Sequence, residues 1–133
     1  MIAQFRFEYL GEMLQAAGCA ITPDPKSLAI NFHTGENLIV AIIDRADPRR
    51  ISLTMMLTHA TGNIAKAKAA CDCVNSSPCC TKACAKACGS GFELTLVLTV
   101  YAEELSAFTN SLKAYTDDIV AAYVSFVDEM VKG

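Results

Sequence analysis

The sequence predicts an α+β fold: an antiparallel sheet packed with three helices, in the order helix-β-β-β-helix-β-β-helix. Three observations carry this prediction. Period-two alternation recurs in Ser27 to His33, Ile51 to Thr58 and Phe92 to Tyr101, as half-buried strands require. The connections between the first three strands are short and rich in turn residues. The C-terminal region steps by three or four residues from Leu105 to Met130, which is a buried helical stripe.

The elements follow in order. Ile2, Phe5, Tyr9, Leu10, Met13 and Ala17 fall at helical spacing, and Gly18 is placed to end that helix. Pro23 and Pro25 then read as a breaker. In the first strand Leu28, Ile30 and Phe32 point to one face, and Thr34 to Asn37 supplies the turn. Leu38 to Asp44 is β-branched enough for a well-buried strand, Arg45 to Arg50 with Pro48 makes a second turn, and Ile51 to Thr58 alternates again. Thr61 is placed to cap a second helix whose apolar side is Ile64, Ala67, Cys71 and Val74, and Asn75-Ser-Ser-Pro78 ends it. Thr81 to Cys88 sets Ala83, Ala85 and Ala87 against Lys82, Cys84, Lys86 and Cys88. With Ser90-Gly91 as a two-residue loop, it forms a hairpin with the strand Phe92 to Tyr101, Ala87 standing opposite Leu94. A register shifted by one would bury both lysines, so Cys84 and Cys88 belong on the outward face.

A chain of 133 residues that is 53% hydrophobic and 19% charged has the apolar material for one core, and it reads as a single domain over 1–133. Its net charge of -3 and its lack of a basic run argue against nucleic acid as a partner. Leu14-Gln-Ala-Ala-Gly-Cys19 has the look of a lipoprotein cleavage box, but Arg6, Glu8 and Glu12 interrupt the apolar stretch a signal would need. No segment approaches the roughly 18 apolar residues of a membrane span. A cytoplasmic protein without a membrane partner is expected.

Six cysteines lie between Cys71 and Cys88. A closed zinc site needs two converging pairs at Cys-x2-Cys to Cys-x4-Cys spacing, and the sequence offers no such pair of pairs. Cys71 and Cys19 therefore read as small core residues, and Cys73, Cys79, Cys80, Cys84 and Cys88 as positions that alanine would also fill, with no cofactor expected. Neighbouring lysines, which can lower a thiol pKa, keep open the alternative of a thiol-redox or metal-binding protein that uses the six from Cys71 to Cys88. His33 and His59 read as surface residues at strand ends, and Asp117-Asp118 and Asp128-Glu129 as the solvated face of the last helix.

The element order resembles the type III secretion chaperone-like fold. That fold is shared by small acidic chaperones of bacterial secretion systems and by YbjN-type proteins regarded as sensory-transduction regulators. The resemblance spans Ile2 to Met130 and is most specific at Val74-Asn75-Ser76, Thr81-Lys82-Ala83, the hairpin, and Phe126 and Met130. The cysteine-rich insertion departs from it. The resemblance implies a bacterial, non-enzymatic protein, commonly a homodimer, that binds another polypeptide. Independently, Val120, Val124, Val127 and Val131 form a second apolar stripe beside the core stripe of the last helix. It reads either as a partner or dimer surface or as part of a broadly buried helix.

Overall fold

In a computed structural model, which describes residues 2–132, ten elements follow in order. They are α1 (Ile2–Ala16), β1 (Ile21–Asp24), β2 (Ala29–Thr34), β3 (Asn37–Ile43), β4 (Arg50–His59), α2 (Ile64–Asn75), β5 (Lys82–Cys88), β6 (Gly91–Tyr101), α3 (Leu105–Asn110) and α4 (Leu112–Val131). The six strands make one antiparallel sheet in the order β1-β2-β3-β4-β6-β5. The predicted α+β architecture holds, with two additions. β1 forms where Pro23 reads as a breaker; a proline cannot donate to a ladder, and it is tolerated here because β1 is a terminal strand. The last helix is interrupted at Ser111, whose N–H donates to the carbonyls of Ala107 and Phe108 at 3.2 and 3.1 Å, giving α3 and α4.

The residues group into two compact units, Met1–Thr54 with Thr99–Ala114 and Met55–Leu98 with Tyr115–Gly133. In the first, α1 packs on the sheet through Ala3, Phe7, Leu10, Gly11 and Leu14. This corrects the predicted stripe, of which only Leu10 is buried. Ile2, Phe5 and Tyr9 are exposed, with the Phe5 and Tyr9 rings stacked at 6.4 Å. Both sides of α1 carry large apolar residues. The side that faces the core is the one on which Phe7, Leu10 and Leu14 line up with the small residues Ala3 and Gly11, and a Cβ at Gly11 would lie in ordinary contact with Ile21 Cδ1, at 3.6 Å. Arg6 fixes the other flank. Its guanidinium donates to the carbonyls of Pro48 at 3.0 Å and Glu103 at 3.2 Å, and to that of Ala102. Leu28, fully buried, ends the turn into β2 with a φ of 52°.

In the second unit, Phe92, Leu94, Leu96 and Leu98 of β6 are buried, as the alternation predicts, and α4 contributes Ile119, Ala122 and Phe126. The rings of Phe92 and Phe126 meet edge to face at 5.9 Å. The cap of α2 is Asn63 rather than Thr61; its side chain accepts from the N–H groups of Ala65 and Lys66. The hairpin exists, but its loop is Gly89-Ser90. Ala83, Ala85 and Ala87 stand opposite Leu96, Leu94 and Phe92, two residues from the predicted register and with the same faces. Gly89, at φ 58°, takes the left-handed position of the turn, while Gly91 is needed as the first paired residue. A Cβ at Gly91 would sit 1.8 Å from the carbonyl oxygen of His59.

Candidate functional site: the edge of β5 and the outer face of α4

β5 is the last strand of the sheet. Its alternation buries Ala83 and Ala85 and leaves Lys82, Cys84, Lys86 and Cys88 exposed. Two polar side chains hold this segment in place. Asn75, at the end of α2, donates from Nδ2 to the carbonyl of Ala83 at 3.0 Å and accepts the N–H of Ala83 on Oδ1 at 2.7 Å. Both backbone groups that Ala83 turns away from β6 are thus satisfied. Asp118 of α4 accepts the backbone N–H of Thr81 at 2.9 Å and its hydroxyl at 2.5 Å, as well as the N–H of Cys80 at 3.4 Å. The acidic pair predicted as solvated is therefore split, with Asp118 turned toward the fully buried Thr81.

Between α2 and β5 lies an open cleft of about 300 Å3, lined by Lys68, Cys71, Asp72, Ala83, Cys84 and Ala85. Cys71 is buried, and desolvation, assisted by the neighbouring Cys84 and Asp72, pushes its thiol up to about 11. Burial also pushes the Cys19 thiol up. Cys73, Cys80, Cys84 and Cys88 are exposed and Cys79 is half-buried; all seven cysteines are free thiols. The six clustered in sequence do not converge. Among the described residues no group of three or more His, Cys, Asp or Glu is placed to hold a metal ion.

On α4, Val124 and Val131 are 52% and 76% exposed, and Val120 and Val127 are half-buried. At the end of that helix the Lys132 ammonium, 2.8 Å from Glu129, holds the Glu129 carboxyl below its usual range, with a weaker hydrogen bond involving Cys73. His33 is exposed, whereas His59, read as a surface residue, is half-buried and stacks on Phe92 at 4.6 Å. Sequence reasoning did not find the roles of Asn75 and Asp118. The signal available was an amide-bearing residue ending a helix just before a strand at the sheet margin, with nothing in the sequence to say which backbone group it meets.

Among the described residues, no helix is long and apolar enough to cross a membrane. No family model and no curated protein matches the chain. Among solved structures, the chain is similar to the crystal structure of YbjN, a candidate transcription regulator from E. coli, with a TM-score of 0.68 and 12% sequence identity. The match covers 90% of this chain and 87% of that one. The hairpin ending at the Asn75-held strand and the helices around it are thus parts of a YbjN-type fold, as the order of elements led one to expect.

Proposed function

We propose that the protein is a non-enzymatic, chaperone-like or regulatory protein that binds another polypeptide and works as a homodimer in the bacterial cytoplasm. The observation that carries this reading is the pair Val124 and Val131, left exposed on α4 beside Val120 and Val127. Aliphatic side chains of this size gain about 1.5–3 kcal/mol each when fully buried, so water is an expensive neighbour for them. A two-fold contact uses the same patch on both copies and covers it twice over. The YbjN-type fold and the description of YbjN as a candidate regulator support a binding role, and the net charge of -3 supports a polypeptide rather than a nucleic acid as partner.

Light scattering on the purified protein tests the dimer. The unmodified chain should run at twice its monomer mass at micromolar concentration. Val124→Glu with Val131→Glu should halve that mass and leave the circular dichroism spectrum unchanged, because a charge is tolerated on a free helix face and costly in an interface. A monomeric unmodified protein ends the dimer reading.

A further inference from the structure

Of the six cysteines from Cys71 to Cys88, two border one cleft from different elements. Asn75 fixes their placement. Its amide meets the main chain of Ala83 at 2.7 and 3.0 Å, so the end of α2 lies within one short side chain of β5. Cys71 stands one helical turn before Asn75, about 6 Å back along the axis, and Ala85 stands about 7 Å beyond Ala83 along the strand. The lining of the cleft shows the two elements running past each other in opposite directions: Lys68, Cys71 and Asp72 border it from α2, and Ala83, Cys84 and Ala85 from β5. Cys71 thus comes level with Cys84. A disulfide spans roughly 4.4–6.8 Å between Cα atoms, the scale of the gap that the Asn75 side chain crosses.

No other pairing of these six is as well placed. Cys73 lies two residues from Cys71, about 200° around the helix, and its thiol hydrogen-bonds to Glu129 of α4. Cys79 and Cys80 are adjacent, about 3.8 Å apart at Cα, which is short of the disulfide range. The chain at Cys80 is held against α4, where Asp118 accepts its N–H. Cys84 and Cys88 share a face of β5 but stand about 14 Å apart along it.

We propose that Cys71 and Cys84 form a reversible disulfide that ties α2 to β5, with a low-molecular-weight disulfide such as oxidised glutathione as the oxidant. This modification site is independent of the polypeptide-binding reading. The two thiols are unequal, Cys84 exposed and Cys71 buried, and that sets the order of steps. The Cys84 thiolate attacks one sulfur of the oxidant and forms a mixed disulfide, while the first small thiol leaves and takes up the proton that Cys84 gave away. Cys71 then attacks the Cys84 sulfur. The Cys71–Cys84 bond forms, the mixed bond breaks, and the second small thiol departs with the Cys71 proton. The chain has lost two electrons, and the oxidant has become two thiols. Burial shields Cys71 from outside reagents and leaves Cys84, across the cleft, as the sulfur within its reach. In a reducing compartment the open dithiol is the resting form, so the bridge answers a rise in small disulfides.

The experiment equilibrates the full chain in buffers of oxidised and reduced glutathione, traps free thiols with iodoacetamide in denaturant, and maps the peptides by mass spectrometry. Oxidising buffer should link Cys71 to Cys84 within single chains, and excess reduced glutathione should reopen the bond. The bridged protein should melt several degrees above the reduced one, because the bond closes a loop in the unfolded chain. Cys71→Ala should stop at the mixed disulfide and carry glutathione on Cys84, and Cys84→Ser should leave Cys71 free. With alanine at the other five cysteines the bridge should form to the same extent, which separates it from scrambling among exposed thiols. The proposal is overturned by a Cys71 that stays free at every glutathione ratio in the unmodified protein, by a Cys84 joined to a different cysteine, or by a bond that joins two chains. Mapping of the unmodified protein decides the matter even where a variant fails to fold.

Discussion

Asp118 holds Thr81. The carboxylate of one α4 residue accepts both the backbone N–H and the hydroxyl of a threonine that is fully buried ahead of β5. A buried hydroxyl or N–H left without a partner costs about 1–3 kcal/mol, so this one residue anchors the cysteine-bearing segment to the C-terminal helix.

Asp118→Ala should therefore lower the thermal midpoint by several degrees, the effect of about 2 kcal/mol in a domain of this size. In a double-mutant cycle with Thr81→Val, the pair should cost clearly less than the sum of the singles, because the two changes remove one shared interaction. Strict additivity in urea denaturation would show that the contact carries no energy.

Asn75→Ala strips both outward groups of Ala83 of their partner and should cost about 1–3 kcal/mol. Asn75→Asp keeps the acceptor for the Ala83 N–H and loses the donor to its carbonyl, so it should fall between. The alanine variant should also aggregate sooner on heating, since a longer open edge is a template for strand pairing. Static light scattering during the melt reads both effects.

The two hairpin glycines should respond very differently to alanine. Gly89→Ala places a side chain at φ 58°, with nothing within 4 Å, and should cost about 1–2 kcal/mol. Gly91→Ala meets the His59 carbonyl oxygen at 1.8 Å and backbone atoms of Ala60 within 2.8 Å. Backbone cannot give way as a side chain can, and a loss above about 4 kcal/mol is expected. Equal chemical-denaturation midpoints for the two variants would contradict the close approach.

Thiol reactivity should divide the cysteines by burial. With native protein at neutral pH, iodoacetamide should label Cys73, Cys80, Cys84 and Cys88 and spare Cys71, as peptide mapping by mass spectrometry would show. Because burial raises the Cys71 pKa from 9.0 to about 11, its neutral form is the one the fold accommodates. Its contribution to stability is complete below pH 9 and is lost as pH rises through about 11. Denaturation midpoints should decline over that window, and less so in Cys71→Ala. Serine at Cys79, Cys80, Cys84 and Cys88 together should leave the protein folded, since none of the four is buried.

β6 was legible because its burial alternates, with Phe92, Leu94, Leu96 and Leu98 inside and Glu93, Thr95 and Val97 not, whereas β3, expected to be well buried throughout, alternates too and leaves Leu38 and Ile42 exposed. The lysines of β5 likewise told its face. What they could not tell was register, because a shift of two residues preserves every face, and the choice fell to Gly89 and to the contact of Gly91 with His59. The packed side of α1 was hidden for a related reason. Ile2, Phe5 and Tyr9 on the exposed side are matched by Phe7, Leu10 and Leu14 on the packed one, so helical spacing of apolar residues fits either side. β1 was hidden by Pro23, a residue that argues against a central strand and is silent about a terminal one. At the candidate site, the valines and cysteines could be named in advance. The hold of Asn75 on Ala83 could not, because which strand lies at the sheet margin is a property of strand order, which no single segment records.

The turn before β2 has a consequence for the order of folding events. Leu28 holds a left-handed backbone that leucine resists by about 1–2 kcal/mol, and only the burial of its side chain, at about 1.5–3 kcal/mol, makes that conformation worth keeping. The stabilising half of that balance is absent until a core surrounds the residue. A peptide covering residues 20–44 should thus fail to form this turn alone, and in the intact chain the turn should close late, behind the β2–β3 hairpin whose Gly35 accepts its φ of 63° at no such cost.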